Sequence, residues 1–194
     1  MLGVRLPFNE AKATEAAGYL LKRNGSPMSY LKLIRLLYLA DREALLRFGR
    51  PITTDCYVLT SQGPSLSQVN DLITASPVVQ SIWEHYISPL EGNLQIALLQ
   101  DTMELGELSE AEAELIDMIL ANYGQKDQLQ LIKDFRALPE WHDPQGTKIP
   151  LEYIDILKAG GKTPSEADAI TSELESLAAV IAWVEPYHLG TVRE

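Results

Sequence analysis

Lys32-Leu33-Ile34-Arg35-Leu36-Leu37-Tyr38-Leu39-Ala40-Asp41-Arg42-Glu43-Ala44-Leu45, followed by Phe48-Gly49-Arg50-Pro51-Ile52-Thr53, is the stretch that decides the fold. Apolar residues recur at Leu33, Leu37, Ala40, Ala44 and Phe48, and again at Ile34, Tyr38 and Leu45, so a wide stripe of one helix faces a core. Ser26-Pro27 predicts the start of this helix, a capping residue followed by proline at the first helical position. Gly49-Arg50-Pro51 predicts its end. Asp41 shares a stripe with Ile34, Tyr38 and Leu45, because residues three and four apart lie on one helix face. Its carboxylate therefore leaves an apolar face, and burying it unpaired costs several kcal/mol. The expected partners are an arginine or the backbone N–H groups around the Gly63 turn. That would make Asp41 a structural tie between the long helix and the strand-turn element after it; a functional acid is the other reading.

Outward from this stretch, Asn9 to Arg23 predicts a helix with Ala13, Ala16, Ala17, Leu20 and Leu21 on one face, closed by Asn24-Gly25. On the other side, Asp55 to Ser61 carries β-formers and reads as a short strand. Gly63-Pro64 reads as a sharp break whose proline starts a helix over Ser67 to Ile73; a glycine-lined ligand or partner pocket is the competing idea. Ser76-Pro77 caps a helix through Trp83 to Ile87, and Asn93 to Leu99 alternates as a second strand, expected to pair with the first. Ser109 and Glu112 form a capping box for a helix ending near Tyr123-Gly124, and Asp127 to Ala137 is a further helix. Pro139 to Pro150 reads as a loop, and Ile149 to Lys158 as a short helix closed by Gly160-Gly161. Thr163-Pro164-Ser165-Glu166 starts a final helix that should reach Val184, with Pro186 to Glu194 a tail. The expected fold class is mainly α (α+β). It is a compact helical domain with a small two- or three-stranded antiparallel β element, and residues 1–194 form a single domain.

The 194 residues are 46% hydrophobic, enough for a sizeable core. A formal net charge of -11 argues against nucleic acid as a partner. Lys22, Arg23, Lys32, Arg35, Arg42, Arg47 and Arg50 gather positive charge in the N-terminal quarter, while Glu104 to Asp117 is acidic. Such asymmetry steers protein partners, though solvated helix faces have the same pattern. The lone Cys56 excludes an internal disulfide, a multi-cysteine zinc site and a CxxC redox motif, and reads as a partly buried strand thiol. Met1 to Glu10 lacks an apolar signal segment, and the apolar run Leu177 to Val184 is far short of the roughly 20 residues that span a bilayer. The expectation is a cytoplasmic protein with no membrane partner.

No HExxH, P-loop, GxGxxG or GxSxG pattern occurs, and His85, His142 and His188 are isolated from other ligands. No catalytic, cofactor-binding or metal residue is expected. His142 beside Asp143 leaves one enzymatic alternative, a scattered site around Asp41, His142 and Arg136, which needs these groups within hydrogen-bond or one-water reach. Trp83, Tyr86 and Trp141 are candidate partner contacts, since exposed aromatics anchor interfaces; packing into the core competes with that role.

Leu36, Leu37, Tyr38 and Asp41, the turn from Gly49 through Pro51 to Thr53, then Asp55, Tyr57 and the pair Gly63-Pro64 together resemble the Panacea domain, the SocA-like antitoxin family. Leu138-Pro139-Glu140-Trp141, Asp143-Pro144-Gln145-Gly146 and Ile149-Pro150 to Leu157 are similar to the corresponding part of one branch. The likeness extends from about Ser29 to Leu177. It implies an antitoxin of a bacterial or phage toxin–antitoxin pair that binds and neutralises, by direct protein contact, a protein toxin encoded by a neighbouring gene. It implies neither catalytic residues nor a cofactor. A host or phage regulatory adaptor with a non-toxin protein partner fits the same pattern. This chain departs from that branch at three places. Thr54 stands where a glycine follows the Pro-Ile-Thr turn, Gln62 where a basic or histidine residue precedes Gly-Pro, and Phe135-Arg136 where a threonine-histidine pair is expected.

Overall fold

The structure is a computed structural model that describes residues 3–75, 81–90 and 92–188. Helix α1, Glu10–Asn24, opens on Asn9, whose side chain accepts the Lys12 N–H at 2.9 Å. It buries Ala13, Ala16, Ala17, Leu20 and Leu21. Two extended residues, Met28–Ser29 (β1), precede α2, Tyr30–Phe48. Every side chain of α2 from Leu33 to Asp41 is buried, which goes beyond the predicted stripe and marks α2 as the central helix. Phe48, placed on the stripe by its spacing, lies past the core and is 47% exposed. Gly49 ends α2 in the left-handed region at φ +74°, with its N–H on the Leu45 carbonyl.

Ser26-Pro27 does not open the helix. Met28 and Ser29 pair antiparallel with Ile96 and Gln95 of β4, Gln95–Ile96, and this pairing holds them extended until Tyr30. Tertiary pairing thus overrides a local start signal. The predicted second strand therefore pairs with β1, and not with the strand at Tyr57.

The other sheet is a hairpin extended by a third strand. Strand β2, Tyr57–Thr60, lies between β3, Gly63–Leu66, and β5, Ile149–Leu151, all antiparallel. Gly63-Pro64 thus begins a strand, and Ile149 lies in a strand rather than a helix. The physical reason is the same at both edges. Pro64 and Pro150 have no N–H to donate, and each sits on an outer strand where none is needed. Helix α3, Ser67–Thr74, and α4, Ile82–Tyr86, follow; the predicted cap at Ser76-Pro77 lies outside the described residues.

Helix α5, Glu110–Tyr123, carries the predicted capping box between Ser109 and Glu112. Helix α6, Gln128–Arg136, carries a second box between Asp127 and Gln130. Helix α7, Tyr153–Ala159, follows β5. Helix α8, Pro164–His188, starts under Thr163, whose hydroxyl meets the Glu166 carboxylate at 2.7 Å. It continues through Pro186 to His188, past its predicted end at Val184. α1, α5, α7 and the β2–β3 hairpin enclose α2. The fold is mainly α with a small antiparallel β element.

Candidate functional site

Three polar knots hold the hairpin and the segment after α6 against α2. The first is Asp41, fully buried. Its Oδ1 accepts the N–H groups of Ile52 at 3.0 Å and Thr53 at 2.9 Å; its Oδ2 accepts the Thr53 hydroxyl and the Tyr57 hydroxyl, the latter at 3.0 Å. The structural tie expected at Asp41 is present, but its donors come from the turn at Ile52-Thr53 and from β2, neither from an arginine nor from the Gly63 turn. Those donors lie nearer because Gly49 turns the chain back along α2 within one residue of its end. Burial pushes the Asp41 carboxyl up to about 7, against the opposing pull of the Thr53 hydrogen bonds. Asp55 makes a similar tie, accepting the Gln68 and Val69 N–H groups at 2.8 Å each in the first turn of α3. Burial raises it to about 6.

The second knot joins α2 to Glu140. The Tyr38 hydroxyl donates to Glu140 Oε1 at 2.9 Å, and Arg42 Nε donates to the same oxygen at 2.7 Å. Arg42 Nη2 reaches Glu140 Oε2 at 3.2 Å. The Glu140 side chain is wholly buried and that of Arg42 nearly so, which makes a desolvated, two-contact ion pair.

The third knot closes over the hairpin turn. Trp141 Nε1 donates to the Thr60 carbonyl at 3.0 Å, and Arg136 Nε to the Ser61 carbonyl at 2.9 Å. The Arg136 guanidinium stacks 5.8 Å from the Trp141 ring centroid. Gly63, at φ +118°, lies so close to Phe135 that an added Cβ would stand 2.5 Å from the phenylalanine Cβ. Only glycine fits both the backbone angle and the approach. Arg35 Nη2 donates to Gln62 Oε1 at 2.8 Å. The departures at Gln62 and Phe135-Arg136, far apart in sequence, therefore gather at one end of the sheet. The third departure, Thr54, holds φ +55°, uncommon for a β-branched residue. Its hydroxyl compensates by donating to the Pro7 carbonyl at 2.7 Å and accepting the Asn9 N–H at 3.1 Å.

The aromatic partner candidates divide. Trp83 and Tyr86 are 2% and 7% exposed and so offer no anchor at the surface. The short α4 turns both rings inward, with the Tyr86 hydroxyl held by Glu104 at 2.8 Å. Trp141 is half-buried. Leu36, Leu37 and Tyr38 are core side chains, and Pro51 is buried in the turn that feeds Asp41. The enzymatic alternative is not assembled. Asp41 is enclosed by its four donors, Arg136 is spent on a backbone carbonyl, and His142 is exposed and bonded to neither. Among the described residues, no group of three or more His, Cys, Asp or Glu could hold a metal, and no helix is long and apolar enough to cross a membrane.

Arg35 was read in the sequence only as one of the N-terminal cations. An arginine flanked by Leu33-Ile34 on one side and Leu36-Leu37 on the other is the signal that it is buried. Leu177 (37%), Val180 (58%) and Trp183 (69%) stand exposed on α8, and no lysine or arginine occurs between Pro164 and His188, whereas Glu166, Asp168, Glu173 and Glu175 do.

A family model described as Antitoxin SocA-like, Panacea domain, matches residues 33–142, more than half of the chain. The match runs from α2 through all three knots to His142. No curated protein and no solved structure matches the chain significantly.

Proposed function

The chain belongs to the Panacea domain family of SocA-like antitoxins, and from that membership we propose that it neutralises a protein toxin, encoded beside it, by direct contact in the cytoplasm and without catalysis. The observation that carries the reading is the family match itself, which supports an antitoxin-type role. The geometry agrees with a scaffold. Of the buried carboxylates in the matched segment, Asp41, Asp55 and Glu140 hold α2, the hairpin, α3 and the post-α6 segment together, and Glu112 caps α5 and pairs with Lys12.

The toxin contact includes the outer face of α8. This face lies beyond the matched segment and combines exposed Leu177 and Val180 with a helix that carries Glu166, Asp168, Glu173 and Glu175 and no lysine or arginine. Charge complementarity then specifies the occupant as a toxin surface with an apolar patch rimmed by lysine and arginine. Co-purification tests the reading. The tagged full-length chain, expressed with the products of its flanking genes, should retain one of them through washing at moderate salt. Retention of neither, with neither being toxic, would remove the proposal.

A further inference from the structure

A cavity of about 130 Å³ lies between α2, the β2–β3 hairpin and the start of α3, with Arg35, Gln62, Ser65, Asn70 and Lys148 among its polar lining. Arg35 is 5% exposed and emerges from the apolar run of α2. Its partners are neutral: the Gln62 side-chain oxygen at 2.8 Å and the Phe135 ring, 6.0 Å from Cζ to centroid. Among the described residues it forms no ion pair with a carboxylate. Arg42, two turns further along the same helix, shows the usual solution for a buried arginine, since it is matched by Glu140.

Arg35 cannot escape by losing its proton, because a guanidinium stays charged at any physiological pH. Desolvation does pull its pKa below the ordinary arginine value, the mark of a charge held out of water without a counter-ion. Lys148, exposed at the rim, adds a second positive charge. No aspartate or glutamate lines the cavity, although the chain has 27 of them against 16 lysines and arginines. In so acidic a protein, a wall with two cations and no carboxylate selects an anion.

We propose that this cavity is a binding site for a carboxylate, received by the Arg35 guanidinium with Gln62 beside it and Lys148 at the mouth. A guanidinium fork matches a planar carboxylate in two parallel hydrogen bonds. A phosphate would look for backbone N–H groups at a helix start. Those of the adjoining helix α3 are already taken, since Asp55 accepts the Gln68 and Val69 N–H groups. The site does not depend on the antitoxin reading. A free small carboxylate and an acidic side chain of a bound protein present the same group.

The test follows the arginine Nε–H signals of the ¹⁵N-labelled full-length protein while sodium acetate replaces sodium chloride at constant ionic strength. The Arg35 signal, assigned by its loss in Arg35→Gln, should shift saturably with acetate. Lys148→Gln, a change at an exposed residue that leaves the fold intact, should raise the acetate needed by roughly two- to fivefold, the effect of one exposed charge. A second arm uses a blocked Ala-Glu-Ala peptide. Saturation at lower concentration than acetate assigns the site to a protein side chain, and the reverse order assigns it to a free carboxylate. No saturable shift with either probe, or an unchanged titration in Lys148→Gln, overturns the site. Phosphate saturating below acetate overturns its assignment to a carboxylate.

Discussion

The Tyr57 hydroxyl donates to the Asp41 carboxylate across 3.0 Å, and through that bond the middle strand of the sheet is fastened to the central helix. The same carboxylate holds the turn between them by the Ile52 and Thr53 N–H groups. One side chain thus fixes the strand, the turn and the helix relative to one another.

Asp41→Ala strands two backbone donors and two hydroxyls in a buried site. Each unsatisfied buried group costs about 1–3 kcal/mol, so the variant should lose about 3 kcal/mol or more, read as a lower urea midpoint. Asp41→Asn keeps an acceptor for Ile52 and Thr53 and should lose less. An Asp41→Ala midpoint equal to that of the parent would contradict the tie.

Asp41 and Asp55 are raised to about 7 and about 6 from an ordinary 3.8. Each folded-state carboxyl holds its proton more tightly than the unfolded chain does. Its contribution is therefore fully present below the unfolded pKa and is lost as pH rises through the folded one, a window from about 4 to about 7 for Asp41. Asn imitates the protonated acid and does not titrate. The stability of Asp41→Asn should gain on that of the parent as pH rises from 4 to 8. Parallel stability–pH curves for the two proteins would rule out a raised Asp41.

Much of this frame was legible in the sequence, and what was not shares a cause. The capping signals at Ser109 and Thr163 act within one helix turn, so they read correctly. Ser26-Pro27, Gly63-Pro64 and Ile149-Pro150 were misread because their conformation is set by strands up to about ninety residues away, as when Tyr57 pairs with both Leu66 and Leu151. Asp41 announced itself as a charge on an apolar face. The Arg35 cavity did not, because Gln62, Asn70 and Lys148 meet it only in the folded chain.

Glu140→Ala removes the partner of a nearly buried arginine and of a buried tyrosine hydroxyl. Breaking such a pair from one side costs about 3–5 kcal/mol. Chemical denaturation should show this loss, and Glu140→Gln, which still accepts from Tyr38, should show a smaller one. A Glu140→Gln variant as stable as the parent would mean that Glu140 acts by filling space and not through its charge.

Leu177→Glu combined with Val180→Glu places two charges on the exposed face of α8, away from all three knots. The unfolding free energy from urea denaturation should stay within about 0.5 kcal/mol of the parent's, as for surface changes generally, while capture of the toxin falls at least tenfold. Undiminished capture by this variant would move the contact off α8 and leave the antitoxin reading itself standing.

The most direct measurement is growth. Each gene flanking this one is induced in bacteria alone and together with the full-length chain, with the destabilised Asp41→Ala variant as control. One neighbour should arrest growth by itself, the parent chain should restore it, and the variant should restore it poorly. Absence of arrest by any neighbour, or arrest that the parent chain leaves unchanged, would contradict the antitoxin function.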